Sequence, residues 1–143
     1  MPRGATLPEL LVALSLVSLA LGIAAPRMSG PLDTLTVEHA AGEIAGAHAR
    51  ARVAAVVESR LMRLLIGPDS LILEMDGPDG PERRWSTPGP ASFGVAMAGA
   101  PRTLTFTPGG ITMGLSNASW TLTRGAATRR IVISRLGRVR IER

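Results

Sequence analysis

Residues 10–25, LLVALSLVSLALGIAA, carry no charge, and Glu9 stands directly in front of them. The only polar side chains in the run are Ser15 and Ser18, which can bond back to helix carbonyls. Taken from Ala5 to Ala25, the segment is 21 residues long. As a helix it would reach roughly 32 Å, against about 30 Å for the hydrocarbon core of a bilayer. A segment of this kind cannot be an ordinary solvated helix. Arg3 and the amino terminus precede it, which predicts a cytoplasmic N-terminus. The feature that constrains it most is Glu9, because a carboxylate carried to the centre of a spanning helix costs about 2.5–3.5 kcal/mol on insertion scales.

A secretory signal peptide would be cut near Gly22-Ile23-Ala24, but Pro8 and Glu9 before the apolar core and Pro26 after it fit that pattern poorly. A plain membrane anchor leaves Glu9 without a purpose. The stretch Gly4-Ala5-Thr6-Leu7-Pro8-Glu9 instead resembles the N-terminus of type IV pilins and type II secretion pseudopilins. In that family a short basic leader ends in Gly, a membrane peptidase cuts after it, and the fifth residue of the mature chain is Glu. The resemblance implies prepilin cleavage between Gly4 and Ala5, N-methylation of Ala5, and an assembly role for Glu9. That role is to neutralise the N-terminal amine of an adjacent subunit. It agrees with the high cost of an unpaired charge in lipid. The chain departs from the family in having Ala5 where Phe is usual and Pro8 where an aliphatic residue is usual. Proline in the first turn of a helix is tolerated, because its missing N–H would be unpaired there anyway.

The divisions expected are a leader at 1–4, a transmembrane and assembly helix at 5–26, a second helical half at 27–60, and a β-rich domain at 61–143. Arg27-Met28-Ser29-Gly30-Pro31 reads as a break or kink, since Gly and Pro both weaken a helix. A second helix is expected over about 32–58. In it Val37, Ala41, Ile44, His48, Ala51 and Ala55 recur at three- and four-residue steps, giving one small apolar face. Asp33, Glu38 and Glu43 come early and Arg50, Arg52 and Arg60 late, which complements the helix dipole.

After Arg60 the pattern turns to strands. Residues 61–66 and 71–75 flank the turn signal Gly67-Pro68-Asp69-Ser70. Residues 76–82 read as a polar loop, 84–86 as a short strand, and 88–101 as irregular chain with Phe93 and Val95 pinned to a core. Residues 103–107 and 111–115 bracket Pro108-Gly109-Gly110 as a hairpin, and 120–123, 130–134 and 138–141 complete the set. A long N-terminal helix followed by an antiparallel sheet domain is an α+β chain of the pilin type. Leu104-Thr105-Phe106-Thr107-Pro108-Gly109-Gly110, Arg130-Ile131-Val132-Ile133-Ser134 and Gly137-Arg138-Val139-Arg140-Ile141 resemble the GspH/FimT group of minor pilins. A Phe-x-x-x-Gly stretch and a closing Gly-Arg-x-Arg strand recur in that group.

Composition narrows the chemistry. The chain has 16 basic and 11 acidic residues and a net charge of +5, and every basic side chain is arginine. Cysteine is absent, which excludes a disulfide framework and a thiolate metal site. Between Trp120 and Arg143 there are seven arginines against the single acid Glu142. Arg138 and Arg140 fall on one face of a strand and read either as a phosphate-contacting ridge for DNA or as a solvated face or subunit contact. FimT-like members of the group are associated with DNA uptake in natural transformation, and the resemblance implies Arg138 and Arg140 as the contact. Aromatic residues are only 3% of the chain, so base stacking is disfavoured and binding would be backbone-driven and salt-sensitive.

Asp69, Glu74, Asp76, Asp79 and Glu82 lie in a turn-rich stretch without calcium-loop spacing, and ordinary turn chemistry accounts for them. His39 and His48 are nine apart, which is no metal-ligand spacing on a helix, and they read as surface or packing residues. Asn117-Ala118-Ser119 fits a glycosylation sequon but carries no weight in a bacterial chain. Nucleophile–base signatures, phosphate loops and paired catalytic carboxylates are missing, so no enzyme, cofactor or metal is expected. The resemblance implies a minor pilin or pseudopilin in fibre assembly or priming, for type II secretion or a type IV pilus. A DNA-binding minor pilin is the alternative. The implied partners are other pilin subunits, the prepilin peptidase, the bacterial inner membrane and, on the alternative, DNA. The chain would be single-pass with its C-terminal domain outside the cytoplasm, and fibre-associated after assembly.

Overall fold

The computed structural model describes residues 6–114, 117–134 and 136–143, with side chains throughout these except at 23–29. One helix, α1 (Leu7–Glu58), leads into nine strands: β1 (Met62–Ile66), β2 (Ser70–Gly77), β3 (Gly80–Pro88), β4 (Ala96–Ala98), β5 (Arg102–Phe106), β6 (Thr112–Met113), β7 (Ala118–Arg124), β8 (Ala127–Ile133) and β9 (Val139–Glu142). They form two antiparallel sheets, ordered β3-β2-β1-β5-β6 and β4-β7-β8-β9. The α+β architecture is therefore as the sequence suggests.

The helix differs from the expected two pieces. α1 runs unbroken for 52 residues across the Arg27–Pro31 stretch. Pro26 and Pro31 each remove one backbone donor, at about 3 kcal/mol apiece in a helix interior. Helix propagation from both sides, and the tertiary packing of the C-terminal half, outweigh those local losses. The helix ends at Ser59, which adopts a left-handed conformation and returns its N–H to the carbonyls of Ala55 and Val56.

The core lies where the C-terminal half of α1 meets both sheets. Val37, Ala41, Ile44, His48, Ala51 and Ala55, the face marked by the sequence periodicity, are all buried, and Ala40 and Ala47 join them. Small side chains let the helix axis approach the sheets closely. Strand alternation supplies the facing layer: Met62, Leu64 and Ile66 from β1, Leu71 and Leu73 from β2, Leu104 and Phe106 from β5, Trp120 and Leu122 from β7, and Ile131 and Ile133 from β8. With only four aromatic residues in the chain, Phe106 and Trp120 fill the largest volumes.

Two other expectations give way. Residues 76–82 are not a loop: β2 and β3 form a hairpin closed at Gly77 and Gly80, and β3 has nine residues rather than three. β3 is an edge strand, where Pro81 and Pro88 need no donor towards a neighbour. Within 88–101 lie a short 3₁₀ turn (Pro90–Phe93) and strand β4, paired with β7. Val95 is buried as expected, and Phe93 packs against the core's margin.

Candidate assembly and charge sites

The first region of interest is the start of α1. Pro8 occupies its first turn and Thr6 is the N-cap. Thr6 and Glu9 form a reciprocal capping box, in which the Thr6 N–H donates to Glu9 Oε2 at 3.4 Å. The Thr-x-x-Glu spacing that gives this box was legible in the sequence, but the family resemblance drew attention to Glu9 for another reason. A carboxylate here also sits at the favourable end of the helix dipole. Gly4 and Ala5 lie outside the described residues.

From Thr6 to Gly22 the helix lies bare. Every side chain from 6 to 22 is exposed, among them Leu10, Leu11, Leu14, Val17 and Leu21. Ser15 returns its hydroxyl to the Leu11 carbonyl at 2.8 Å, so its polar group is satisfied within the helix. Among the residues whose side chains are described, no helical stretch is long and apolar enough to cross a membrane.

The second region is the arginine-rich second sheet, and the structure divides its arginines into two sets. Arg124 and Arg129 point to the helix. Arg124 Nε donates to Asp33 Oδ1 at 2.9 Å, and its guanidinium also reaches the Phe93 carbonyl. Arg129 pairs with Glu38 and donates to the Thr128 carbonyl. Asp33 and Glu38 stand five apart on α1, as Arg124 and Arg129 do across the β7–β8 hairpin. The two pairs fasten the helix to the sheet. Nothing in the sequence marks them, because each joins residues 91 apart.

Arg130, Arg138 and Arg140 form the other set. They are exposed and, among the described residues, have no ion-pair partner. Arg140 stands opposite Val132 in the β8–β9 register, on the face turned away from the core, and strand alternation puts Arg138 on the same side. The turn into β9 is tight. Gly137 has φ +73 and donates to the Ser134 carbonyl, while the Ser134 N–H donates to the Arg138 carbonyl at 2.9 Å. The Gly of Gly-Arg-x-Arg is thus needed for the left-handed turn that presents Arg138. Arg135 lies outside the described residues.

Both histidines are packing residues. His39 meets Phe93 edge-on at 5.0 Å between ring centroids, and His48 meets Phe106 at 5.1 Å. His48 is buried, and its Nε2 has no hydrogen-bond partner among the described residues. Burial pushes its pKa down, and the neighbouring Arg52 adds to the effect. Of the acids of 69–82, Asp69 and Asp79 lie in turns, while Glu74, Asp76 and Glu82 lie on β2 and β3, where Asp76 pairs with Arg63 at 2.9 Å and Glu74 stands opposite Arg83. Among the described residues no group of His, Asp or Glu could hold a metal ion.

Comparison with known proteins identifies this arrangement. A sequence profile of the family described as "Type II transport protein GspH" matches residues 40–137. The chain belongs to the GspH family. The matched region of this GspH-family chain begins inside the buried half of α1 and runs through the turn before β9. Along nearly its whole length the chain is also similar to the pilin-like protein PilA1 of Thermus thermophilus, with 32% identity over 98% of both chains. Its fold is that of the type IV minor pilin FimU of Pseudomonas aeruginosa (TM-score 0.61, 18% identity, 75% of this chain and 88% of FimU). It is likewise that of the minor pseudopilin EpsH from the Type 2 Secretion System of Vibrio cholerae (TM-score 0.57, 13% identity, 73% and 94%). As a GspH-family protein of pilin type, the chain is a structural subunit and not an enzyme.

Proposed function

We propose that this GspH-family protein is a minor pilin or pseudopilin, made as a membrane precursor, cut after Gly4, methylated on Ala5, and built into a thin fibre by its N-terminal helix. The observation that carries this reading is the contrast within α1. Its C-terminal half is buried against the sheets, while residues 7–22 are apolar, exposed and headed by Glu9. So much apolar helix needs a partner outside the fold. The uncharged run continues to Ala25, long enough for the inner membrane before assembly and for packing among other pilin subunits afterwards. Glu9 closes its own helix in the single chain, and its carboxylate is placed to meet a neighbouring subunit's terminal amine in the fibre. The sheet domain lies outside the cytoplasm and serves fibre assembly or priming, in type II secretion or a type IV pilus-like machine.

The test is the mass and N-terminal sequence of the protein recovered from membranes. A chain beginning at methylated Ala5 is expected. An intact Met1 or Pro2 terminus would overturn the processing by prepilin peptidase, and a chain beginning near Ala25 would make the N-terminal helix a removed signal.

A second reading rests on Arg138 and Arg140. Unlike Arg124 and Arg129 they have no ion-pair partner among the described residues, and they share an outward face, which suits contact with DNA phosphates during DNA uptake. Full-length protein in detergent should then bind duplex DNA with an affinity that falls steeply with salt, each phosphate contact contributing about −0.9 to the slope of log K against log salt. Binding indifferent to salt, or unchanged in an Arg138→Gln/Arg140→Gln double variant, would remove this reading.

A further inference from the structure

A cleft of about 220 Å³ opens beside the outer face of the second sheet, where the start of β5 comes up against β7 and β8. Its polar lining comes from Arg102, Arg130, Asn117 and Ser119, and its small walls from Ala100 and Ala118. The lining is held in place. Trp120 donates its indole Nε1–H to the Ala100 carbonyl at 3.0 Å, which ties the β4–β5 connection to β7. Gly99, at φ +124, lies so close to the Trp120 ring that a Cβ there would come within 2.9 Å of it. Pro101 then fixes the backbone immediately before Arg102. Arg102 and Arg130, from different sheets, thus converge on one concavity that no carboxylate lines.

Among the described residues neither of these arginines has an ion-pair partner, whereas Arg50, Arg63, Arg84, Arg124 and Arg129 each do. Two guanidinium groups facing a shared space repel unless an anion joins them, and the surrounding groups able to donate are a hydroxyl and an amide NH₂. A donor-only set of forked guanidiniums with further hydrogen-bond donors fits a tetrahedral oxyanion better than a single flat carboxylate. We propose that the Arg102–Arg130 cleft is a binding site for a phosphate group, with Ser119 and Asn117 completing its donors. Arg140 stands opposite Val132, which also lines the cleft, so the site adjoins the Arg138–Arg140 ridge but does not depend on it. The phosphate is either free or part of a nucleic-acid backbone.

Both sources can be tested on full-length protein in detergent by following the arginine Nε–H resonances. Inorganic phosphate at constant ionic strength should shift Arg102 and Arg130 saturably, leave Arg138 and Arg140 unmoved, and lose its effect in an Arg130→Gln variant. A linear response without saturation, or an equal one to acetate, would overturn the proposal. The second arm uses a short DNA duplex. If the phosphate belongs to DNA, an Arg102→Gln/Arg130→Gln double variant should lower the salt slope by about 1, the one phosphate contact that the cleft holds. If the source is a free phosphate, the parent protein binds phosphate saturably and the variant does not, while duplex affinity is the same in both. Duplex binding that is lost in Arg138→Gln/Arg140→Gln but unaltered in Arg102→Gln/Arg130→Gln, together with no saturable phosphate response, would refute the cleft and leave the strand reading standing.

Discussion

The two halves of α1 are continuous in backbone and opposite in circumstance. From Val37 to Ala55 one face is fully buried, and it is built largely from alanine. From 7 to 22 leucine and valine surround the helix and every one of them is exposed. The less hydrophobic half is therefore the buried one. An amphipathic helix needs only a stripe, because its partner is in the same molecule. A helix apolar on all sides needs partners on all sides, and the described residues of this chain do not supply them. The difference separates what the domain needs to fold from what the protein needs outside itself.

That separation predicts the largest effect. Ile44 is fully buried beneath both sheets, and Ile44→Ala should cost about 2–5 kcal/mol of domain stability, read by denaturant unfolding in detergent. Leu14→Ala removes an isomeric side chain of the same size from the other half, yet should leave domain stability within about 0.5 kcal/mol. Its effect should appear in membrane retention or fibre incorporation. Equal destabilisation by both variants would break the comparison, since it would mean that the N-terminal half is part of the folding unit.

How well each half could be read from sequence follows from the range of the forces involved. The buried face of 37–55 was visible because its periodicity is local and matches the helix repeat. Strand positions were visible for the same reason, as in Leu71 and Leu73 facing in while Ile72 and Glu74 face out. The continuity of α1 was not visible, because Gly30 and Pro31 announce their local penalty while the packing that overrides it lies further along the chain. The β2–β3 hairpin was hidden by Pro81, whose strand-breaking reputation does not apply at a sheet edge. The arginines were the least legible. Sequence shows seven in a cluster, and only the fold shows that Arg124 and Arg129 turn inwards to Asp33 and Glu38 while Arg130, Arg138 and Arg140 turn out.

The inward pair gives a smaller prediction. Arg124 joins the helix to the sheet through Asp33 and also reaches the Phe93 carbonyl. Both charges are partly exposed, 40% and 22% at the side chains, so solvent screens the pair. Arg124→Ala should cost about 1–2 kcal/mol, mostly through the acceptors left without a donor. Because Asp33 lies just before the buried face begins, hydrogen exchange in that variant should quicken around residue 33 and not around residue 51. Uniform quickening along the helix would show that the clamp supports the whole interface.

The smallest effect is a dependence on pH, and it belongs to the buried half alone. His48 lies on the same face as Ile44, packed on Phe106, with an unpartnered Nε2 and with burial and Arg52 both opposing its protonation. Its folded pKa is therefore below the ordinary value of 6.5. Above that value His48 is neutral in both states and contributes no pH dependence. Below it the unfolded chain takes up a proton that the folded chain resists, so stability falls as the pH falls, with a limiting slope of about 1.4 kcal/mol per pH unit for one proton. The loss stops once the pH drops below the folded pKa. A His48→Leu variant, which keeps the ring's space largely filled and removes the orphaned nitrogen, should lose this contribution to the slope between pH 6.5 and 5. If the slope is unchanged, the proton is taken up elsewhere, and the buried face of α1 holds His48 as loosely as solvent holds the exposed half.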